Sequence, residues 1–495
     1  MTDLIIVDIT DNEETFLDPL LTQKEINGYG KLIVKNPSQK SRLWNLICNL
    51  QETVYTSLNS KELNIDTLNP NQEFTQEYEI KNLKAPSLKV NEEFDIDNTT
   101  PNIINKAFLY RQKNNCTLKI ILINPLNLPI SNIRLTREIP ITFQDIEILP
   151  PNIGETNIKE VNGKKQLNWE ILTLKSKSKA ELLINCAINI KETKPQSLGS
   201  LNVNYTVNNH KLTMINPKVF GLTNSMSGID REEGSRPGIW DCTLEFINES
   251  DFQVRLEDVK VSHKITTGIK TVVSQTPDKL LHSDQSWNFD FQVEDYNIPE
   301  LSSSIEFTPL SLVISRVLGQ IYKEPTIYPV LSASVEKVIN PSEIDASTNT
   351  YMTVHNTINN NGSANIDTLT IIDEIPKDFV PSELKNITIK LIESNRTTDI
   401  TSRKDFIRRF EIEPEDFNPN LDHKLTIELF NLKDQLLSGA KIIVDYSLLA
   451  KNPKPAMTYN TPIMISVNSS IPGKSFISSP VKIPNIKIKS VKKNT

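Results

Sequence analysis

The sequence predicts an all-β protein: four β-sandwich domains in a row, followed by a short basic tail. Three observations carry this. Apolar residues alternate with polar ones at a two-residue period over short runs. Gly is scarce at 14 of 495 residues, whereas 29 Pro and abundant Asn supply turns without long helices. One strand, Asn-centred turn, strand unit recurs along the chain.

The first copy is Lys31 to Leu50, where Leu32 and Val34 point one way and Lys31 and Lys35 the other. Asn36-Pro37-Ser38 makes the turn and Leu43 to Leu50 the return strand. Strands at Leu63 to Ile65 and Tyr78 to Ile80 follow, and the polar, acidic segment from Lys84 to Pro101 reads as a linker. The second copy, Cys116 to Pro140, is the clearest: Cys116, Leu118, Ile120 and Leu122 share one face. After it come a strand at Gln144 to Leu149, an Asn162-Gly163 turn, a strand around Trp169, the apolar strand Ala180 to Ile190 and Leu201 to Val207.

The third copy runs from Trp240 to Val261 and turns at Asn248; Trp287 marks a later strand. In the fourth, Met352, Val354 and Ile358 lead into Asn360-Asn361-Gly362, a strong hairpin signal. Leu425 to Leu432 and Lys441 to Leu449 are its late strands. The copies keep register. Counting from Asn124, Asn248 and Asn360, the sixth residue on is Ile130, Val254 and Ile366, and the eleventh is Leu135, Val259 and Ile371. The first copy slips by one residue in its return strand. A spacing of about 90 to 125 residues suits one sandwich per copy. The expected divisions are 1–86, 87–208, 209–327 with a Gly-rich leading loop, 328–470, and the tail 471–495.

Strand, Asn-rich turn, strand and a terminal Ile-Pro (Glu138-Ile139-Pro140, Glu374-Ile375-Pro376) resemble the immunoglobulin-like repeats of prokaryotic, especially archaeal, multidomain proteins. These include cell-adhesion-related and conserved-repeat families, and Thr370 to Pro381 is the closest match. The resemblance implies four tandem immunoglobulin-like sandwiches in a structural or adhesive role, with no shared catalytic residues.

Charge and cysteine usage narrow the function. The net charge is −7. No acidic residue follows Asp445, so the last stretch carries +8 from Lys451 to Lys493 and the rest −15. Such an acidic body is a poor general nucleic-acid binder. The start, MTDLIIVDITDNEE, has neither a basic region nor an apolar run of leader length, and no window has the ~18 apolar residues of a membrane span. A cytoplasmic protein is expected, with the cell surface as the alternative. Of Cys48, Cys116, Cys186 and Cys242, one pair, Cys116 and Cys186, could bridge; buried free thiols are favoured. The Asn-x-Ser/Thr sites, Asn115, Asn204 and Asn248 among them, are expected by chance in so Asn-rich a chain.

No catalytic, cofactor or metal residue is expected. His210, His263, His282, His355 and His423 show no ligand spacing and read as surface or loop residues. No GxSxG elbow occurs. The stretch Asn468 to Ser475 resembles a phosphate loop, but the Pro-rich continuation cannot open a helix. Paired carboxylates such as Glu232-Glu233 or Glu413 and Glu415 read as charged surface, and the four Trp as core.

Two stretches stand out as interaction candidates. Gly221, Gly228, Gly234 and Gly238 gather around Asp230, Arg231, Glu232, Glu233 and Arg236. A solvated interdomain loop is the plain reading, a partner-binding loop the second, a cation site the third. In the tail, Ile486 and Ile488 alternate with Lys487 and Lys489, as in a charged edge strand able to add to another sheet. The acidic N-terminus would suit a head-to-tail contact with it. The expected function is therefore non-catalytic: an intracellular scaffold or assembly protein that binds proteins, with self-association through the tail among the expected contacts. A surface adhesion protein is the alternative, and a carbohydrate-binding or metal-dependent enzyme is third.

Overall fold

The computed structural model describes residues 4–96, 107–161, 163–346, 348–381, 383–393, 396–405, 407–451, 453–469 and 474–490. Asn162 of the expected Asn-Gly turn, residues 470–473 of the phosphate-loop lookalike, and Lys492 and Lys493 lie outside them. The described chain is all-β, with forty strands and two single-turn 3-10 segments.

Buried apolar side chains form four clusters, and each contains one copy of the repeated unit. We call these clusters units one to four in chain order. Ile130, Val254, Ile366, Leu135, Val259 and Ile371 are all 0% exposed, so the sequence register is the core register.

The asparagine that marks each copy is more than a turn former. Asn36, Asn124, Asn248 and Asn360 are all buried. Asn124 Nδ2 donates to Leu128 O, Leu174 O and Lys175 O at 2.9, 3.2 and 2.9 Å. Its Oδ1 accepts from the Leu126 amide at 2.9 Å. Asn248 does the same with Phe252 O, Leu281 O, His282 O and the Ser250 amide. Asn360 uses Ala364 O, Leu436 O and the Gly362 amide. Each amide closes its own turn and ties it to the end of a distant strand or the loop that follows one, satisfying carbonyls that would be costly to bury alone. Asn36 reaches Ser41 O, one residue further along than its sisters, which explains the slipped register of the first copy. It also holds Leu68 O and the Ser38 amide.

The units are interleaved. One eight-stranded sheet runs Glu155–Val161, Lys164–Leu174, Ile130–Ile139, Leu201–Asn208, Ser311–Lys323, Ile5–Leu17, Gln23–Lys35, Glu73–Glu79. It serves units one and two together. Ile5–Leu17 lies parallel to Ser311–Lys323 over its whole length. Asn216–Leu222 also pairs with Leu43–Gln51 of unit one. Thus Ile215, Val219 and Phe252 fill the first core, and Val317 and Ile321 the second.

Ile5–Leu17 was missed in the sequence, although it is central. Ile5, Val7 and Ile9 face inward, and the alternation continues with Asp11, Glu13 and Thr15, which are buried too. A Tyr hydroxyl caps one oxygen of each acid, helped by the Leu212 amide at Asp11 and the Ser87 amide at Glu13, and Glu13 Oε2 is left without a partner. Tyr78 OH donates to Asp11 Oδ1 at 2.6 Å across Gly30, and Tyr205 OH to Glu13 Oε1 across Gly319. Each ring lies flat on its glycine: a Cβ at Gly30 or Gly319 would sit 2.1 Å from the ring. Burial pushes both carboxyls above their ordinary range despite these hydrogen bonds.

The supposed linker from Lys84 also folds: Lys89–Ile96 is a strand of the second unit. Its Glu92 is buried between Arg137 Nε and Lys323 Nζ, each at 2.7 Å. Burial pushes the Glu92 carboxyl up, but the two cations outweigh it and hold it below the ordinary range. All four cysteines are buried and none forms a disulfide; Cys116 and Cys186 face each other on neighbouring strands. His263 and His423 correct the expectation of surface histidines, since both are 2% exposed. Of the tryptophans, Trp169 is fully buried and donates to Ile153 O at 2.9 Å, whereas Trp44, Trp240 and Trp287 are half-buried. Among the described residues no helix is long and apolar enough to cross a membrane.

Candidate functional site: the open end of the third unit

The Gly-rich stretch expected as a loop is mostly strand. Ser225–Glu233 pairs with Ile239–Asn248 in a hairpin, and Ser286–Glu294 lies on the far side. Ser225–Glu233 is the terminal strand of this three-stranded sheet, so its outer edge has no strand partner among the described residues. Asp230, Arg231, Glu232 and Glu233 are exposed on that edge, and Arg236 is exposed in the turn. Asp230 and Glu232 stand opposite Thr243 and Asp241. Asp290 follows on the next strand, opposite Thr243, so four carboxylates share one solvated face. Thr243 Oγ1 donates to Asp290 Oδ1 and Gln292 Nε2 to Asp241 Oδ1, both at 2.7 Å. Among the described residues no group of three or more His, Cys, Asp or Glu is arranged to hold a metal ion.

The hairpin turn leads to a groove at the loop end of the unit. Gly238 has φ +83°, a left-handed conformation that suits glycine and lets the Tyr296 ring lie beside it. The Asp295 amide donates to Gly238 O and Trp240 Nε1 to Asp295 O, both at 3.0 Å. The Asp295 carboxylate accepts from the Asn297 amide at 3.0 Å and pairs with His263 Nε2 at 2.9 Å. The Asn297 amide, then His263, hold its carboxyl below the ordinary range. These contacts fix the groove floor. Above it, Tyr296 is 96% and Ile298 68% exposed, beside the exposed Lys264–Glu300 ion pair. An aromatic and an aliphatic held out of the core by a rigid floor are suited to packing against another surface.

The tail behaves differently. Asn485–Lys489 is the middle strand of a three-stranded sheet, parallel to Glu343–Asp345 and antiparallel to Thr458–Asn460. Ile486 and Ile488 are buried in the fourth core, and Lys487 and Lys489 point out. The alternation was read correctly, but both edges are taken within the same chain, so no free edge is left for augmentation. The acidic start is equally committed, as the strand between two others.

Sequence reasoning missed the Tyr296 groove because its residues come from three segments and share no spacing. The Asp-Tyr-Asn-Ile-Pro run after a strand was the available signal: an apolar pair in a turn, where neither side chain has a periodic partner.

No family model and no curated protein matches the chain. Among solved structures, it is similar to the yeast delta-COP-I mu-homology domain complexed with a Dsl1 WxWxV peptide. The identity is 9%, over 66% of this chain and 97% of that one, with TM-score 0.29. It is also similar to the C-terminal domain of the Streptococcus agalactiae AgI/II polypeptide BspA, at 6% identity over 80% and 100%, TM-score 0.31. The C-terminal domain of the Streptococcus pyogenes antigen I/II-family protein AspA matches at 8% identity over 80% and 99%, TM-score 0.30.

Proposed function

We propose that the chain is a non-catalytic protein-binding body, and that the third unit presents its binding surface. The observation that carries this is the unpaired edge of Ser225–Glu233, which runs into the exposed Tyr296 groove. An extended segment can add to that edge through main-chain hydrogen bonds and seat an apolar side chain against Tyr296 and Ile298. Asp230, Glu232, Asp241 and Asp290 favour a basic segment.

Of the two settings expected from the sequence, adhesion fits this geometry better than an intracellular scaffold. The parallel register of Ile5–Leu17 on Ser311–Lys323 extends over thirteen residue pairs. A pull along that strand loads the bonds together rather than one after another, which suits a protein held under tension.

Affinity capture from the protein's own cells tests the binding surface. Wild type and a Tyr296→Ala, Ile298→Ser variant are compared, with surface labelling of intact cells in parallel. The reading expects a protein captured by wild type and lost with the variant at unchanged melting temperature. Equal capture by both refutes the site, and absence of surface labelling refutes the adhesive setting.

A further inference from the structure

The fourth unit holds a polar group that neither the proposed binding surface nor the sandwich itself requires. Lys337, on Ala333–Asn340, stands directly opposite Asn356 on Thr350–Asn360. Asp373 meets both from Thr368–Ile375 of the other sheet. The Lys337 and Asp373 side chains are wholly inaccessible, and Asn356 is 0% exposed. Lys337 Nζ donates to Asp373 Oδ1, and to Thr461 O at 3.2 Å. Asn356 Nδ2 donates to Asp373 Oδ2 at 3.2 Å, and Tyr446 OH donates to the same oxygen at 2.7 Å. One carboxyl thus gathers an amine and a carboxamide on its two oxygens. Asn356 Oδ1 meets no donor. A buried amide oxygen left without one calls for an explanation.

We propose that Lys337 and Asn356 are a self-modification site and become joined by an intramolecular isopeptide bond, with Asp373 as the acid–base group. Burial pushes the Lys337 ammonium down toward the neutral amine, which is the nucleophilic form. Its proton passes to Asp373. The amine lone pair then attacks Asn356 Cγ, forming the new C–N bond while the C=O electron pair moves onto the unpartnered Oδ1. When the C=O re-forms, the Cγ–Nδ2 bond breaks. Asp373 gives its proton to the departing nitrogen and accepts one from the attacking nitrogen. One ammonia leaves and one secondary amide remains. No oxidant, reductant or further reactant is needed. The strand register supplies the proximity, and the dry core removes water as a competing nucleophile. The product ties the paired strands Ala333–Asn340 and Thr350–Asn360 of the fourth unit to each other covalently. The inference is independent of the binding surface on the third unit.

The test is the intact mass of the purified, denatured full chain, followed by peptide mapping. The expected mass is that of the sequence less one ammonia, with peptides containing Lys337 and Asn356 recovered as one branched species. Asp373→Ala, shown to be folded by circular dichroism, should keep the full mass. The unmodified mass in folded wild type overturns the proposal. So does a loss of water that joins Lys337 to Asp373 instead. An equal ammonia loss in Asp373→Ala overturns the role given to Asp373. Because wild type carries the main readout, a variant that fails to fold leaves the test intact.

Discussion

Replacing Asn124 by Ala removes one of the four recurring side-chain clamps. Four hydrogen bonds disappear, three to carbonyls and one from an amide, at 2.9 to 3.2 Å. At about 1 kcal/mol net for each, with an added penalty for carbonyls left buried, the second unit should lose about 3–5 kcal/mol. The loss is local, because Leu126, Leu128, Leu174 and Lys175 all belong to the second unit. Hydrogen exchange resolved by peptide reads it directly. Amides of Lys113–Ile123 and Lys179–Asn189, which pair with each other, should exchange roughly a hundred- to several-thousandfold faster. Peptides of the fourth unit should be unchanged. Asn157→Ala, on an exposed strand position, is the control and should stay within about 0.5 kcal/mol of wild type. A change under tenfold in the second unit, or an equal change in the fourth, would refute the clamp as an independent local tie.

Glu92→Gln leaves Arg137 and Lys323 buried without their counter-charge, and should destabilise the second unit by about 3–5 kcal/mol in denaturant melts. Its wild-type contribution has a defined pH sign. The folded carboxyl lies below its unfolded value, so the stabilisation is present above the unfolded value and disappears as pH falls through the folded one. Asp11 and Glu13 have the opposite sign. Their folded values are raised, so their contribution is present below the unfolded values and is lost as pH rises through the folded ones. Exchange protection of Ile5–Leu17, corrected for intrinsic rates, should therefore decline as pH rises above the ordinary carboxylate range, and Asp11→Asn with Glu13→Gln should flatten the decline. Gly319→Ala drives a Cβ into the Tyr205 ring and should cost about 1–3 kcal/mol, with exposure of Ile5–Leu17 to proteolysis as the readout.

The copies with apolar alternation were legible because their inward faces are apolar throughout. Leu118, Ile120 and Leu122 announce themselves by period and by hydrophobicity together. Ile5–Leu17 did not, because three of the seven residues on its inward face are Asp11, Glu13 and Thr15. Donors far along the chain, the tyrosines at 78 and 205 with the amides of Ser87 and Leu212, make those acids tolerable inside. Lys89–Ile96 was hidden by Glu92 for the same reason, since its counter-charges sit at 137 and 323. The tail strand was read from its alternation but placed at an edge, because sequence period specifies a face and not a neighbour. The residues at 230 to 236, which belong to the proposed binding surface, stand out in the sequence by their composition. Tyr296 and Ile298 were not, since the groove exists only where three loops meet. The Lys337, Asn356 and Asp373 group was invisible for a related reason: opposite register on two strands and a position on a third leave no motif.

The parallel pairing of Ile5–Leu17 with Ser311–Lys323 imposes an order on how the chain is made. At about 5–20 residues per second, the ribosome needs roughly 15–60 seconds to deliver the partner of a strand it has already released. During that interval the strand has Gln23–Lys35 on one side and an open edge on the other. The third unit, whose own strands lie between 225 and 309, can close before the seam does. Asp11 and Glu13 are then still in water and charged, which keeps the waiting edge soluble and unattractive to other chains. The acids that burden the finished core act as protection for the nascent one.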